Sequence, residues 1–138
     1  AFHGGAWVFP GGRIDAEDYR AGVGPDDVRA AACHAAVREA AEEAGIAVAP
    51  ADLVPFSRWV TPEGLPKRFD TWFFVAALPP GQQARHDAAE TVEFAWLAPA
   101  VALARGAELK LALPTQKSLE DIGRCANVAA LFDWARAL

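Results

Sequence analysis

The sequence predicts an α/β domain, and three stretches carry that prediction. Residues 26–44 repeat small apolar side chains at helical spacing, as in a helix that packs closely on a sheet. Arg68 to Leu78 is dense in β-branched and aromatic residues, and its latter half is apolar on both faces, as in a buried central strand. Thr91 to Leu97 alternates as a half-buried strand. At 138 residues the chain suits one domain spanning 1–138, long enough for a real core.

In chain order, Ala6 to Phe9 reads as a short apolar strand ended by Pro10-Gly11-Gly12, where two glycines let backbone approach a ligand. Residues 13–25 show no apolar period and read as a polar loop, after which Asp26 or Asp27 caps the long helix. Leu53 to Val60 reads as strand, with Pro55 marking an edge or bulge. Residues 61–66 form a turn-rich loop. The strand at 68–78 ends at Pro79-Pro80-Gly81. Beyond Leu97, Pro99 opens a short helix to Ala104, stopped by Gly106. Pro114 opens another to about Gly123. Asn127 caps a last one, with Val128, Leu131, Phe132 and Ala135 as its apolar stripe.

The composition, 53% hydrophobic and 22% charged, fits a soluble globular protein. A net charge of −5 without a Lys/Arg cluster speaks against a nucleic-acid surface. No apolar run reaches the length of a membrane span, and no signal-peptide pattern is visible. Cys33 and Cys125 form neither a disulfide framework nor a zinc pattern, which suits a reducing compartment, and the cytoplasm is the expected location. His3, His34 and His86 have no ligand spacing. The chain contains no Met and opens at Ala1, which fits removal of an initiator Met and equally a truncated or partly disordered N-terminus.

The chemistry concentrates in Arg38-Glu39-Ala40-Ala41-Glu42-Glu43-Ala44-Gly45-Ile46. In a helix Glu39, Glu42 and Glu43 fall at i, i+3 and i+4 and share one face, opposite a stripe of Cys33, Val37, Ala40, Ala41 and Ala44. The reading is that the carboxylates point outward. Three acids before the Gly45 C-cap oppose the helix dipole, and Glu39 and Glu43 repel by roughly 0.2–0.5 kcal/mol. Arg38 offsets part of this through Glu42. A divalent cation would offset more, and clustered oxygens suit Mg²⁺ or Mn²⁺. The bland alternative is a solvated acidic face.

Together, Phe9-Pro10-Gly11-Gly12, the long segment after it and Arg38-Glu39-x-x-Glu42-Glu43-x-Gly45-Ile46 resemble the Nudix hydrolases. Every fixed position in the second half of that family's box is matched, with Ala40 and Ile46 at its aliphatic sites. The first half departs: the gap from Gly12 to Arg38 is twelve residues longer, and Ala30 stands where the box has a glutamate. The insertion, the segment from Trp59 to Phe74, and Glu90-x-x-Glu93-x-x-Trp96-Leu97 resemble a subgroup that includes peroxisomal coenzyme A diphosphatases.

The resemblance implies an α/β/α sandwich around a central mixed sheet, with leading strands expected before Ala1. It implies metal-dependent hydrolysis of a nucleoside diphosphate linked to another group, at the pyrophosphate. Glu42 and Glu43 are then the first-choice ligands for Mg²⁺ or Mn²⁺, with Glu39 as ligand or water-orienting group and the Gly11 or Gly12 carbonyl as a further oxygen. Arg38 orients the glutamates. The general base falls to Glu90 or Glu93, ahead of Glu63 and Asp70. Arg58, Lys67 and Arg68 are candidates to meet substrate phosphates, against a role as surface charge. Trp7, Trp59 and Trp72 are better read as core than as adenine platforms. Coenzyme A or an acyl-coenzyme A follows from the subgroup alone. ADP-ribose, a nucleotide sugar, a dinucleotide or an oxidised nucleotide are rivals, and a catalytically silent nucleotide-binding module is the reading from another class. Members of the family are commonly dimeric, but no residue here marks an interface. The C-terminal Ala135-Arg136-Ala137-Leu138 is not the Ser-Lys-Leu peroxisomal signal.

Overall fold

A computed structural model describes residues 2–3, 5–20, 27–84 and 94–138. In chain order these form β1 (Phe2–His3), β2 (Ala6–Trp7), α1 (Ala16–Arg20), α2 (Val28–Ala44) and a 3₁₀ turn at Pro50–Asp52. There follow β3 (Val54–Val60), β4 (Asp70–Val75), α3 (Pro99–Ala104), α4 (Gly106–Leu109), α5 (Leu113–Gly123) and α6 (Val128–Arg136). The fold is α/β. Among the described residues the strands pair antiparallel, β1 with β2 and β3 with β4.

The long helix starts and stops where local chemistry dictates. The Asp27 side chain accepts a hydrogen bond from the Ala30 N–H at 3.0 Å, satisfying a donor that the first turn leaves open. At the other end Gly45 adopts the left-handed conformation, φ 66° and ψ 22°, and its N–H reaches the Ala41 carbonyl at 3.1 Å.

Of the edge or bulge expected at Pro55, the bulge is present. Pro55 pairs with Phe74 and Ser57 with Phe73, so Phe56 is the extra residue and the ladder accommodates a position without an N–H. β4 is shorter than expected and ends at Val75, leaving Ala76, Ala77 and Leu78 exposed. The reason lies in its partner: Val75 faces Val54, and just before Val54 the chain curls into the 3₁₀ turn. Phe94 to Leu97 form no strand, and the rest of the strand expected at 91–97 lies outside the described residues.

The core has two centres. Phe56, Val75 and Ala135 are buried together, with Phe73, Leu131, Phe132 and Trp134 packed around them, so α6 closes one face of the β3–β4 hairpin. Ala102, Leu109 and Leu119 form the second centre, which Trp7 joins in line with its expected core role. In α6 the stripe is narrower than expected: Val128 remains 61% exposed because it occupies the first helical position, beyond the reach of the hairpin. Gly106 does not end helical structure, since α4 begins there.

Asn127 caps α6 as expected, its Oδ1 accepting from the Ala130 N–H at 2.8 Å. Asn127→Ala should therefore cost about 1 kcal/mol of stability. Urea unfolding of the two proteins measures it, and overlapping curves would remove the cap from the account.

Candidate active site

The site is built on α2. Its buried positions are Ala31, Ala32, Ala35, Glu39, Glu43 and Ala44, so the inward stripe runs through two of the three glutamates. This corrects the expected orientation. Ala41 is exposed, whereas Glu39 and Glu43 are only 8% and 9% exposed. Of the three, only Glu42 keeps an open side chain. The cause is what the helix packs against: the loop after β2 covers the C-terminal half of α2 with backbone rather than with apolar side chains.

That loop is the Gly11-Gly12 segment. The Gly11 N–H donates to Glu43 Oε2 at 3.0 Å. Gly12 lies so close to Glu39 that a Cβ there would come within 2.6 Å of the carboxylate carbon. Only a residue without a side chain permits that approach. The loop is held from its other end by Phe9, whose ring meets Phe73 of β4 edge-on at 6.2 Å between centroids.

Arg38 ties the remaining acids together. Its Nη1 donates to Glu39 Oε1 at 2.9 Å, and its Nη2 donates to the Arg13 carbonyl at 2.9 Å and to Asp18 Oδ2 at 3.1 Å. Asp15, Glu17 and Glu42 lie within ion-pair distance at 3.3, 3.9 and 3.6 Å. The hydrogen bond that Arg38 donates to Asp18, with the further carboxylates, raises the Arg38 pKa above its ordinary value despite partial burial. Burial would raise the Asp18 carboxyl, but the Arg38 hydrogen bond, a backbone donor from Asp15 and the nearby positive charges together hold it below its usual value.

Asp18 belongs to α1, in the segment expected to be a loop. The signal for that helix was present at Asp15-Ala16-Glu17-Asp18. The Asp18 carboxylate reaches back to the Asp15 N–H at 2.7 Å, the returning half of a capping box. Without a Ser or Thr at the first position and without an apolar period, the pattern reads as a polar loop.

The expected phosphate-binding arginines are engaged in the β3–β4 hairpin. Arg58 forms a two-pronged pair with Asp70, Nε to Oδ1 at 2.8 Å and Nη2 to Oδ2 at 2.6 Å, and lies over the Trp72 ring at 5.0 Å. Arg68 donates to the Thr61 carbonyl through Nε and Nη2, both at 3.2 Å. The structure thus brings Gly11, Gly12, Arg38, Glu39 and Glu43 together with Glu42 at the margin, and places Arg58 and Arg68 on a separate element. Glu90 and Glu93 lie outside the described residues.

The donors fit a hard divalent cation. All are oxygens, and the glycine cradle beside Glu39 is one that any Cβ would fill. No three His, Cys, Asp or Glu side chains gather at metal-binding separation among the described residues. That is compatible with Mg²⁺, which keeps several waters and takes only one or two carboxylates besides substrate phosphates.

An α/β domain with buried, glycine-cradled carboxylates on one helix has the oxygen donors that metal-assisted hydrolysis of a phosphoanhydride uses. The NUDIX domain profile matches residues 1–120, and the chain belongs to the Nudix family of pyrophosphohydrolases. Members of that family act on small nucleotide derivatives and generally need a divalent metal such as Mg²⁺ or Mn²⁺. No curated protein and no solved structure shows a significant match. No helix among the described residues is long and apolar enough to cross a membrane.

Proposed function

We propose that the chain, as a single domain, hydrolyses the pyrophosphate bond of a nucleoside diphosphate linked to another moiety, with coenzyme A or an acyl-coenzyme A as the substrate class. The observation that carries the chemistry is the inward placement of Glu39 and Glu43 against the Gly11-Gly12 backbone. Burying two like charges on adjacent turns is costly without a cation to balance them. Arg38 supplies one positive charge and faces five carboxylates. The surplus negative charge is what a divalent cation would neutralise. Its protein ligands would be drawn from Glu39, Glu42, Glu43 and the Gly12 carbonyl, one or two carboxylates at a time.

A bound cation would neutralise the pyrophosphate oxygens and lower the pKa of an attacking water. The protein's own contribution is positioning. Arg38 orients Glu39, and the Gly11 N–H fixes one Glu43 oxygen. Glu90, or else Glu93, is proposed as the base that takes the proton from water. Arg58 and Arg68, with Gly11, are the proposed contacts to substrate phosphates. For Arg58 that role requires the carboxylate of Asp70 to share it. Coenzyme A is supported by the long segment between Gly12 and Arg38 and by the residues from Trp59 to Phe74.

A silent nucleotide-binding module is the second reading, favoured by Ala30 at the box glutamate position. A hydrolysis panel with Mg²⁺ or Mn²⁺ decides between them. It contains coenzyme A, an acyl-coenzyme A, ADP-ribose, NADH and a dinucleoside polyphosphate, each with wild type and Glu42→Gln. Cleavage of coenzyme A to 3′,5′-ADP and phosphopantetheine, lost in Glu42→Gln, is the expected result. Cleavage of another member alone would discard coenzyme A and keep the chemistry. Metal binding without turnover on any member would establish the silent module.

A further inference from the structure

We propose that Asp18 is a positioning residue for the metal site: acting through Arg38, it sets where the Glu39 carboxylate lies. The inference rests on the reading of Glu39 as a metal ligand and adds a residue outside the family's box.

Asp18 is 4% exposed, more deeply buried than Glu39 or Glu43. It comes from α1, in the segment that lengthens the interval between Gly12 and Arg38. A carboxylate at that depth must find donors, and it has two, the Asp15 N–H at 2.7 Å and Arg38 Nη2 at 3.1 Å. The Asp15 and Glu17 side chains also face Arg38, but they are 54% and 64% exposed, where solvent screens them and their geometry is loosely held. Asp18 is therefore the acid that fixes the guanidinium.

A guanidinium is planar, and its donors form a rigid fork. Holding Nη2 on Asp18 and on the Arg13 carbonyl fixes the direction in which Nη1 points. Nη1 donates to Glu39 Oε1 at 2.9 Å. On another side Glu39 meets Gly12. The carboxylate is thus held between a guanidinium braced by α1 and a backbone braced by β4 through Phe9. At Ala30, within α2 itself, there is no acid to brace Arg38. Asp18 provides that brace from the inserted segment.

A purely structural Asp18 would pin α1 to α2 and do nothing more. The two roles part in the folded protein's affinity for metal. Wild type, Asp18→Asn, Asp18→Glu, Arg38→Lys and the Asp18→Asn/Arg38→Lys double variant are compared. The readouts are thermal unfolding without metal, Mn²⁺ affinity without substrate from the EPR signal of unbound Mn²⁺, and kcat and KM. Glu43→Gln serves as a control for the site itself.

A positioning role predicts that Asp18→Asn weakens Mn²⁺ binding about 10- to 100-fold, the usual loss when a group supporting a metal ligand is removed. The loss in kcat should be comparable, with KM nearly unchanged. Asp18→Glu should recover part of both. The double variant should be little worse than Arg38→Lys, because both changes break one relay. If Asp18→Asn does not fold, Arg38→Lys reads the same relay, since it keeps a cation for Asp18 and loses the fork.

A lowered melting temperature with wild-type Mn²⁺ affinity and kcat in Asp18→Asn would overturn the inference. So would wild-type Mn²⁺ affinity in a folded Arg38→Lys. If wild type binds no Mn²⁺, or Glu43→Gln binds it equally well, the reading of the glutamates fails and the inference falls with it. The control separates that failure from the failure of Asp18 alone.

Discussion

Gly12→Ala is expected to lower kcat about a hundredfold in a chain that still folds, the order of loss that follows when a reacting group is displaced by about 1 Å. The backbone at Gly12 has no positive φ that alanine would resist. The obstacle is the Glu39 carboxylate, whose carbon would lie 2.6 Å from the new Cβ. Either the carboxylate or the loop must shift. The loop is tied by the Gly11 N–H to Glu43 and by Phe9 to Phe73, so a shift there disturbs Glu43 as well. Gly11→Ala is the matched comparison, because a Cβ at Gly11 meets nothing within 4 Å. Steady-state kinetics on both variants, with circular dichroism to verify folding, carry the test. Equal activity in the two would show that the close approach at Gly12 has no part in the chemistry.

The second large effect is expected at Glu43. Glu43→Gln should reduce kcat by about 10²–10³, the order of loss when one electrostatic contribution to a transition state is removed, here that of the cation Glu43 would help to hold. The substitution is close to isosteric. The glutamine carbonyl can still accept from the Gly11 N–H, so the loop should stay seated. What changes is the other end of the group, where an amide N–H₂ replaces an anionic oxygen and one negative charge is lost. Stability should fall little or rise, since burying a neutral amide near Glu39 costs less than burying a second carboxylate. The pairing of a kinetic collapse with retained stability is the signature. Loss of stability together with full residual activity in the folded fraction would make Glu43 a structural residue.

Much of the framework is legible in the sequence. The long helix, its cap at Asp26 or Asp27 and its stop at Gly45 follow from contacts within a few residues, and in the structure Asp27 is the cap and Gly45 the stop. The same holds for the bulge at Pro55, where a missing N–H is a local fact, and for Asn127 at the head of α6. The box residues from Arg38 to Ile46 were equally legible, because metal chemistry constrains residue type and spacing together.

The orientation of α2 was not legible in the same way. Helical period alone offered two faces, one of small apolar residues and one of acids. Ordinary burial rules send the acids outward. The structure turns two of them in, because what covers this helix is a glycine backbone that donates the Gly11 N–H to Glu43 and leaves room at Gly12 for Glu39. That partner lies 32 positions away from Glu43 and leaves no trace in the helix's own periodicity. Asp18 escaped for a related reason: its burial depends on Arg38, 20 positions further on, and its own neighbours look like any polar loop.

The sequence by itself determined where α2 begins and ends, where α6 begins and which residues carry the family's box, since caps and box spacing are short-range constraints. Tertiary structure alone decided which carboxylates are buried, which acid braces Arg38 and which arginines are occupied by Asp70 and Thr61. Those outcomes depend on long-range contacts, where desolvation and charge pairing are settled by whatever element happens to pack alongside.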